Sequence, residues 1–298
     1  MSWGRSGDLS RRAAGIAPGS QLLAGAPGAP GARRPLASDR PVTTYEIRIL
    51  ATVRELVESY WLRYDTYGAL GYLRCCNPSK LEIDPYDLMS IPFGAFDAAS
   101  GRMVGTLRIV TPELQPMYQR LISRVLTEFA DPDLNRQALG SRPHQLPAIV
   151  TDEIARQIAA VNTEQRAVHE LSRFIVHPDH RSSHVSRGLG QLAFAYATRS
   201  GPAVFVAGCQ SRHIRLYASY GFVQLPHTDV DFHDSVGQFA NTIICRSDAL
   251  PGPMRSQVDA LLRAMAEGAS EHTQGLCRDS RVLFRLAAPR RALRAPIE

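Results

Sequence analysis

Residues 167–195, AVHELSRFIVHPDHRSSHVSRGLGQLAFA, decide the fold class of this 298-residue chain. An apolar run of strand length is followed by a polar loop and then by apolar residues at helical spacing. The strand carries Glu170, Ser172 and Arg173 among its apolar residues. Alternation along a strand puts Glu170 and Ser172 on one face and Arg173 on the other, where its guanidinium needs a buried acidic partner.

The flanking residues extend this strand, loop and helix into one domain. Residues 43–50 predict a strand, and residues 51–70 predict a helix with apolar side chains on one face. The turn ASGR separates two strand-like runs and predicts an antiparallel hairpin. Residues 113–166 predict two helices, and strands at 202–208 and 240–246 follow with a helix between them. The expected fold class is α/β, with a central mixed sheet and helices on both faces.

The two ends of the chain differ from its middle in composition. Residues 1–42 are rich in Gly, Ala, Pro and Arg and predict a disordered tail, because they bury too little apolar surface to offset the entropy of ordering. The predicted domain covers residues 43–250, and residues 251–298 predict a closing amphipathic helix with an Arg-rich tail. Six Arg against two acidic residues give residues 1–42 a charge of +4, and six Arg against three give residues 271–298 a charge of +3.

Charge, cysteines and hydropathy argue against several classes of protein. The middle of the chain is close to neutral, so nucleic acid binding by the folded part is not expected. The five cysteines include no CxxC pair, and we interpret His177, His180 and His184 as loop residues, so no metal site is predicted. No apolar run of about 18 residues predicts a membrane span. We expect a cytoplasmic protein, and any membrane association would come from a lipid product or the basic ends.

The first motif with chemical meaning is GLG, residues 188–190, at the start of a predicted helix. Glycines there let backbone N–H groups approach an anion, although such turns also serve as plain tight connections. The order FIVHPDHR, GLG, helix, buried strand and RLYASYGF resembles the acyl-binding half of the GNAT N-acyltransferases. This resemblance implies that the loop holds the phosphate end of an acyl thioester. The donor-binding residues that it implies are Arg181, Arg187, Gly188, Leu189 and Gly190.

The same resemblance implies that Tyr217 protonates the departing thiolate, with core packing as the alternative role. The usual coenzyme A loop has Arg or Gln three residues before its first glycine, where Val185 stands here. We therefore expect a donor with one phosphate, acyl phosphopantetheine on acyl carrier protein, with acyl coenzyme A as the alternative and no permanently bound cofactor. Carrier protein is acidic as a class, and basic docking contacts are expected. The residues predicted for docking are Arg181, Arg187, Arg212 and Arg215.

Four further motifs narrow the resemblance. WLRYDTY, EIDPYD, VGTLR and ELSRF occur in the order found in the acyl-homoserine lactone synthases and in their relatives, the long-chain N-acyl amino acid synthases. The resemblance covers about residues 45–225 and implies a network, bordering the acyl and acceptor sites, that orders the loop around residues 68–90. Ion pairs that only pin this loop are the alternative. The network residues are Arg63, Tyr67, Asp84, Asp87, Arg108 and Arg173, with Glu170 as a further acid.

The expected function is transfer of a long-chain fatty acyl group from carrier protein to the amine of an amino acid. An attacking amine must be uncharged, so Glu170 is the predicted base, with Ser172 beside it as a further catalytic residue. Cys209 is interpreted as a small core residue, because no motif places a histidine to activate it. Two alternatives are a lactone synthase that uses S-adenosylmethionine and a catalytically silent module that binds acyl thioesters.

Overall fold

The structure is a computed structural model, which describes residues 42–73, 76–139, 145–228, 231–233, 238–277 and 280–286. The predicted N-terminal tail up to residue 41 and the last twelve residues of the predicted Arg-rich tail lie outside the described residues. The described residues all belong to one compact unit.

The described part of the chain contains seven α-helices and ten strands. The helices are α1 (Val53–Leu70), α2 (Pro116–Phe129), α3 (Pro132–Leu139), α4 (Asp152–Val161), α5 (Val185–Thr198), α6 (Ile214–Ala218) and α7 (Gly252–Ala266). The strands are β1 (Thr43–Ile49), β2 (Ser90–Asp97), β3 (Met103–Val110), β4 (Ala167–Val176), β5 (Ala203–Cys209), β6 (Val223–Gln224), β7 (Asp231–His233), β8 (Gln238–Arg246), β9 (Glu271–Cys277) and β10 (Ser280–Arg285).

The strands form a mixed sheet in the order β6-β8-β5-β4-β3-β2-β1-β10-β9, and β7 pairs with β8. The predicted hairpin is β2 and β3, which pair antiparallel. Thr106 on β3 bonds to Ser59 of α1, whereas a Cβ at the adjacent Gly105 would touch Leu189 and Val185 of α5. Adjacent strand residues point to opposite faces, so α1 and α5 cover opposite faces of the sheet. The predicted fold class is confirmed.

Local sequence explains where the helices begin. Thr52 and Glu55 form a capping box at the start of α1, and Gly71 ends that helix in the left-handed conformation. Residues 113–166 contain three helices rather than the two predicted, because Asp131 and Pro132 start a new helix directly after α2.

The prediction that residues 251–298 form only a helix and a tail is wrong for residues 271–285. These residues form β9 and β10, and β10 pairs parallel with β1 from Thr43–Ser280 to Arg48–Arg285. Val282 and Phe284 of β10 are fully buried. The domain therefore extends beyond residue 250, because β10 continues the same sheet.

The pairing between the central strands β4 and β5 is short. They pair in parallel from Ala167–Ala203 to Glu170–Val206, and beyond this point both strands continue without pairing to each other. The separation leaves an opening between residues 171–176 of β4 and residues 207–209 of β5. We call this opening the splay.

Candidate functional site

A cavity of about 520 Å³ lies at the splay. Its wall combines residues from α1, β4, α5, β5, α6 and β8 and from the segments that follow α1, β4 and β5. Among the residues predicted for the site, those on the wall are Tyr67, Glu170, Ser172, Arg173, Arg181, Arg212 and Tyr217. The structure therefore brings the predicted base, the predicted acid and two of the predicted basic contacts to one cavity.

Glu170 lies on the cavity wall and is almost fully buried. Its Oε2 accepts a hydrogen bond of 2.6 Å from the backbone N–H of Ala148. Burial raises the pKa of Glu170 to about 8, although this hydrogen bond and the charge of Arg108 oppose the shift. Glu170 makes no ion pair with any described residue, so its predicted membership of the ion-pair network is wrong. A carboxyl group with this pKa can accept or release a proton near neutral pH.

Tyr217 of α6 lies on the cavity wall and is also buried. Its ring packs edge-to-face against Phe174 of β4 and Phe222, with ring centroids 6.1 and 5.5 Å away. Burial raises the pKa of Tyr217 well above its ordinary value, so the phenol keeps its proton at neutral pH. Tyr217 therefore packs in the core and also lies on the cavity wall, so its position is compatible with both roles considered for it, core packing and protonation of the thiolate.

Three buried arginines and three carboxylates form a closed network on the α1 side of the sheet. Each arginine contacts two carboxylates, and each carboxylate contacts two arginines, so the formal charges cancel. Asp84 accepts at 2.7 and 2.8 Å from Arg108 and at 2.6 Å from Arg173. The pairs are Arg63 with Glu82 and Asp87, Arg108 with Asp84 and Asp87, and Arg173 with Glu82 and Asp84.

A 3-10 turn, Pro85–Met89, fixes two of these carboxylates. The carboxylate of Asp84 accepts from the backbone N–H of Tyr86, and the carboxylate of Asp87 accepts from the backbone N–H of Asp84. Burial alone would raise the pKa of Asp84, but Arg108 and Arg173 more than offset it and hold that pKa well below its usual value. Asp84 thus stays ionised at neutral pH.

Glu82 is the network residue that sequence reasoning missed. It takes the place predicted for Glu170 and binds both Arg63 and Arg173. The sequence did contain a signal for Glu82. It is the first residue of the motif EIDPYD, and three buried arginines need three acids to be neutralised.

The prediction that Arg173 points away from Ser172 is wrong. Arg108 pairs with Ser172 and Thr106 with Ile175, so two residues of β4 oppose one residue of β3. Arg173 lies in this bulge with a φ of 54°, in the left-handed region. The bulge turns its side chain toward α1, where its guanidinium lies 5.5 Å from the ring centre of Tyr67.

The predicted glycine loop lies largely within a helix. The chain after β4 forms a 3-10 turn, Pro178–Ser183, and α5 starts at Val185. The N–H groups of Arg187 and Gly188 are bonded to the carbonyl of His184, so neither points away from the helix as a free donor. Leu189 is a core residue, and a Cβ at Gly190 would meet open space. The binding of the donor by Arg187, Gly188, Leu189 and Gly190 stays a prediction.

The outer end of the cavity is held together by hydrogen bonds between distant segments. Tyr72, which follows α1, donates to Gln210 Oε1 at 2.7 Å, and Arg212 Nη2 donates to Tyr72 Oη at 2.5 Å. All three residues lie on the cavity wall, as does Arg181. We call this end, at Tyr72, Arg181, Gln210 and Arg212, the mouth.

Other side chains in the described residues do less. Cys209 lies on the cavity wall, and burial raises its pKa to about 11, so it stays a thiol at neutral pH. No cluster of potential metal ligands occurs among the described residues, and none of the described helices is long and apolar enough to cross a membrane.

One protein family matches the part of the chain that surrounds the cavity. The family model of FeeM, the N-acyl amino acid synthase, matches residues 135–240. These residues include β4, α5, β5 and α6, which surround the splay. The predicted resemblance to N-acyl amino acid synthases is confirmed. The enzyme class predicted from the sequence, an acyltransferase, is confirmed with it.

Three solved structures were found to be similar. FeeM, an N-acyl amino acid synthase from uncultured soil microbes, is 18% identical, with a TM-score of 0.48 over 72% of this chain and 95% of its own. TofI, solved with an inhibitor and MTA, is 17% identical, with a TM-score of 0.43 over 72% and 96%. BjaI, a CoA-dependent acyl-homoserine lactone synthase, is 15% identical, with a TM-score of 0.43 over 80% and 93%. No curated protein gives a significant match.

Proposed function

We propose that this protein transfers a long-chain fatty acyl group from acyl carrier protein to the amine of an amino acid. The observation that carries the proposal is Glu170, a buried carboxyl group with a pKa of about 8 on the wall of the cavity at the splay. The match to N-acyl amino acid synthases over the residues around this cavity supports the choice of acceptor.

The reaction needs one base and one acid. The amine nitrogen attacks the thioester carbonyl carbon, a C–N bond forms, and Glu170 takes a proton from the nitrogen. The C–S bond then breaks, and the departing thiolate takes the phenolic proton of Tyr217. Both side chains lie on the same cavity wall. The raised pKa of Glu170 suits a base that acts near neutral pH, and the raised pKa of Tyr217 keeps its phenol protonated until the thiolate departs.

The splay also offers donors for the oxygen that becomes negative during the attack. Beyond Glu170 the edge of β4 that faces β5 has no partner strand in the described residues. Backbone N–H groups on this edge, after Arg173, are available to the thioester oxygen. Ser172 lies on the wall beside them, 3.5 Å from a nitrogen of Arg108.

The ion-pair network supports this wall rather than taking part in the proton transfers. Arginines hold the pKa values of Asp84 and Asp87 below their usual value. Each carboxylate of the network already has two cationic partners. Through Arg173, the network holds the bulge in β4 that follows Ser172. We therefore assign Arg63, Arg108 and Arg173 to positioning.

Carrier protein is the proposed donor partner. Arg181, Arg212 and Arg215 are exposed and Arg187 is half-buried, on segments around the mouth. An acidic partner would be attracted to such a surface. With this donor, the proposed place of action is the cytoplasm.

Product identification tests the proposal. The purified protein is given a long-chain acyl carrier protein or acyl coenzyme A, with either an amino acid mixture or S-adenosylmethionine, and products are identified by mass spectrometry. We expect N-acyl amino acids, and their loss in Glu170→Gln. A lactone together with methylthioadenosine would assign a lactone synthase instead. No product from any pair, with donor binding retained, would assign a silent binding module.

A further inference from the structure

The hydrogen bond that Glu170 accepts comes from a loop rather than from a strand or a helix. Residues 146–150, between α3 and α4, form neither element, so no ladder of backbone hydrogen bonds sets the position of Ala148. Two hydrogen bonds of Ala148 itself connect it to the sheet. One runs from its N–H to Glu170, and the other is accepted by its carbonyl oxygen.

Thr242 of β8 donates this second hydrogen bond. Its Oγ1 lies 3.3 Å from the carbonyl oxygen of Ala148, and it is the only hydrogen-bond donor to that oxygen among the described residues. Thr242 and Ala148 are both fully buried. A buried carbonyl without this donor would be left unsatisfied, so the loop would have to shift to find another partner.

The register of the strands places Thr242 on the same face of the sheet as the proposed base. Glu170 pairs with Val206 of β5, and Val206 pairs with Ile244 of β8. Directly paired residues share a face, so Glu170 and Ile244 point the same way, and Thr242, two positions from Ile244, does so too. Ala148 packs in one apolar cluster with Val206 and Ile244. Two strands therefore hold one loop residue on this face.

Thr242 is itself fixed by the strands around it. It pairs with Gly208 of β5, and its carbonyl oxygen accepts from the N–H of Leu225 at 2.9 Å and from the hydroxyl of Thr228 at 3.3 Å. A β-branched side chain also has few rotamers available to it. The hydroxyl of Thr242 is therefore a rigid anchor for the loop.

The contact from Ala148 matters for the ionisation of Glu170. Burial raises the pKa of Glu170, and the hydrogen bond from Ala148 is the strongest of the influences that lower it. Removing that bond would leave the ionised carboxylate with less support. The charged and titratable groups that face Glu170 are Arg108 of β3, Arg173 of β4, Asp84 and Tyr217 of α6.

We propose that Thr242 is a positioning residue for acyl transfer, whose hydroxyl holds Ala148 so that its N–H stays directed at the carboxyl group of Glu170. The inference rests on the proposed function for the role of Glu170 as the base. Thr242 is not among the residues that line the cavity, so it acts through Ala148 and not on a substrate.

Titration of Glu170 in the full-length protein tests the contact directly. Glutamate labelled with ¹³C at the side-chain carboxyl carbon is incorporated, and the Glu170 signal is identified by its absence from Glu170→Gln. Thr242→Val removes the hydroxyl but keeps the shape of the side chain, and it should raise the pKa of Glu170 by a further 0.5 to 1 unit, roughly, because the ionised form loses a hydrogen bond. Thr242→Ser keeps the hydroxyl and should titrate like the wild type.

The pH profile of acyl transfer separates positioning from a general loss of structure. In Thr242→Val the acidic limb of kcat/KM should move up by the same amount, so the rate at pH 7 should fall about 3- to 10-fold while the rate well above the limb stays close to that of the wild type. Thr106→Val is the matched control and should leave the limb in place. Thr106 is also buried, and its hydroxyl donates to the carbonyl of Phe93 at 3.1 Å.

Thr242→Ala occupies less space than valine and should give the same shift, so it serves if valine does not fit. An unchanged pKa of Glu170 in the variants without the hydroxyl would overturn the inference. An equal rise in Thr242→Ser or in Thr106→Val would overturn it as well. A shift that depends on the hydroxyl, in a protein without any acyl transfer, would leave the contact of Thr242 with Glu170 through Ala148 standing and overturn the proposed function.

Discussion

The backbone N–H of Ala148 donates a hydrogen bond of 2.6 Å to the carboxyl group of Glu170, which is 22 positions away in the chain. Among the described residues it is the only hydrogen bond to that carboxyl group. One donor fixes the orientation of the carboxyl group but does not compensate for its burial, so the pKa remains raised, at about 8.

Acyl transfer should therefore depend on pH through Glu170. The base acts only when ionised, so kcat/KM should fall about tenfold for each pH unit below 8. Glu170→Gln should lose this dependence together with about 100-fold or more of the rate. A rate profile of the wild type that is flat between pH 6 and pH 9 would contradict the assignment of Glu170 as the base.

The raised pKa of Glu170 should also make the stability of the protein depend on pH. The pKa of Glu170 rises from an ordinary 4.5 to about 8 on folding, so the folded protein keeps a proton that the unfolded chain releases between these values. This contribution to stability is present below pH 4.5 and is lost as pH rises to 8, by up to about 1.4 kcal/mol per unit. In urea titrations, Glu170→Gln should lose less stability across this window. Parallel curves of the free energy of unfolding against pH for the wild type and Glu170→Gln would contradict the raised pKa of Glu170.

Tyr217→Phe should lower kcat about 100-fold with alkyl thioester donors, because the departing thiolate loses its acid. The variant keeps the ring that packs against Phe174. With an aryl thioester, whose thiolate leaves without a proton, most of the rate should return. Tyr118→Phe, in a buried position on α2 away from the cavity wall, is the control. An equal loss with both donors would show that Tyr217 only packs.

Asp84→Asn should destabilise the fold by about 3–5 kcal/mol, because Arg108 and Arg173 would lose a shared buried counter-charge. Chemical denaturation measures the loss, and Asp65→Asn, at an exposed position of α1, is the matched control. The lowered pKa of Asp84 makes its stabilisation present above pH 3.8 and lost as pH falls below it. A loss no larger than that of the control would mean that the network contributes nothing to stability.

Phe284→Ala should destabilise the domain by about 3–5 kcal/mol, because this side chain of β10 is fully buried. Arg281→Ala, on an exposed position of the same strand, should change stability by less than about 0.5 kcal/mol. Thermal unfolding distinguishes the two variants. Similar melting temperatures for both would show that β10 is not part of the cooperative domain.

The sequence predicts elements best where the signal is local. The hairpin of β2 and β3 follows from two apolar runs around one turn, and α1 follows from its apolar spacing and the cap at Thr52. β9 and β10 were missed because β9 is mostly exposed, and β10 finds its partner in β1, more than 200 residues earlier. β10 does alternate buried and more exposed side chains, but its own residues do not indicate β1 as the partner strand.

The candidate site shows the same limit. The motifs predicted that Arg63, Arg108 and Arg173 would meet acids, because buried guanidinium groups need them. The side of the sheet on which Arg173 lies depends on a bulge, which breaks the two-residue alternation that the prediction assumed. Tyr72 and Gln210 could not be found at all, because each becomes meaningful only through a hydrogen bond across 138 positions.

The four register pairs between β4 and β5 are the only strand pairing that connects β5, β6 and β8 to the rest of the described sheet. This short junction divides the described sheet into two unequal parts, which these four pairs join beside the cavity. A ligand that contacts both β4 and β5 beyond Glu170 would add a second connection between these two parts of the sheet. Amide hydrogen exchange in β5 and β8 should therefore slow on ligand binding, even at residues remote from the ligand.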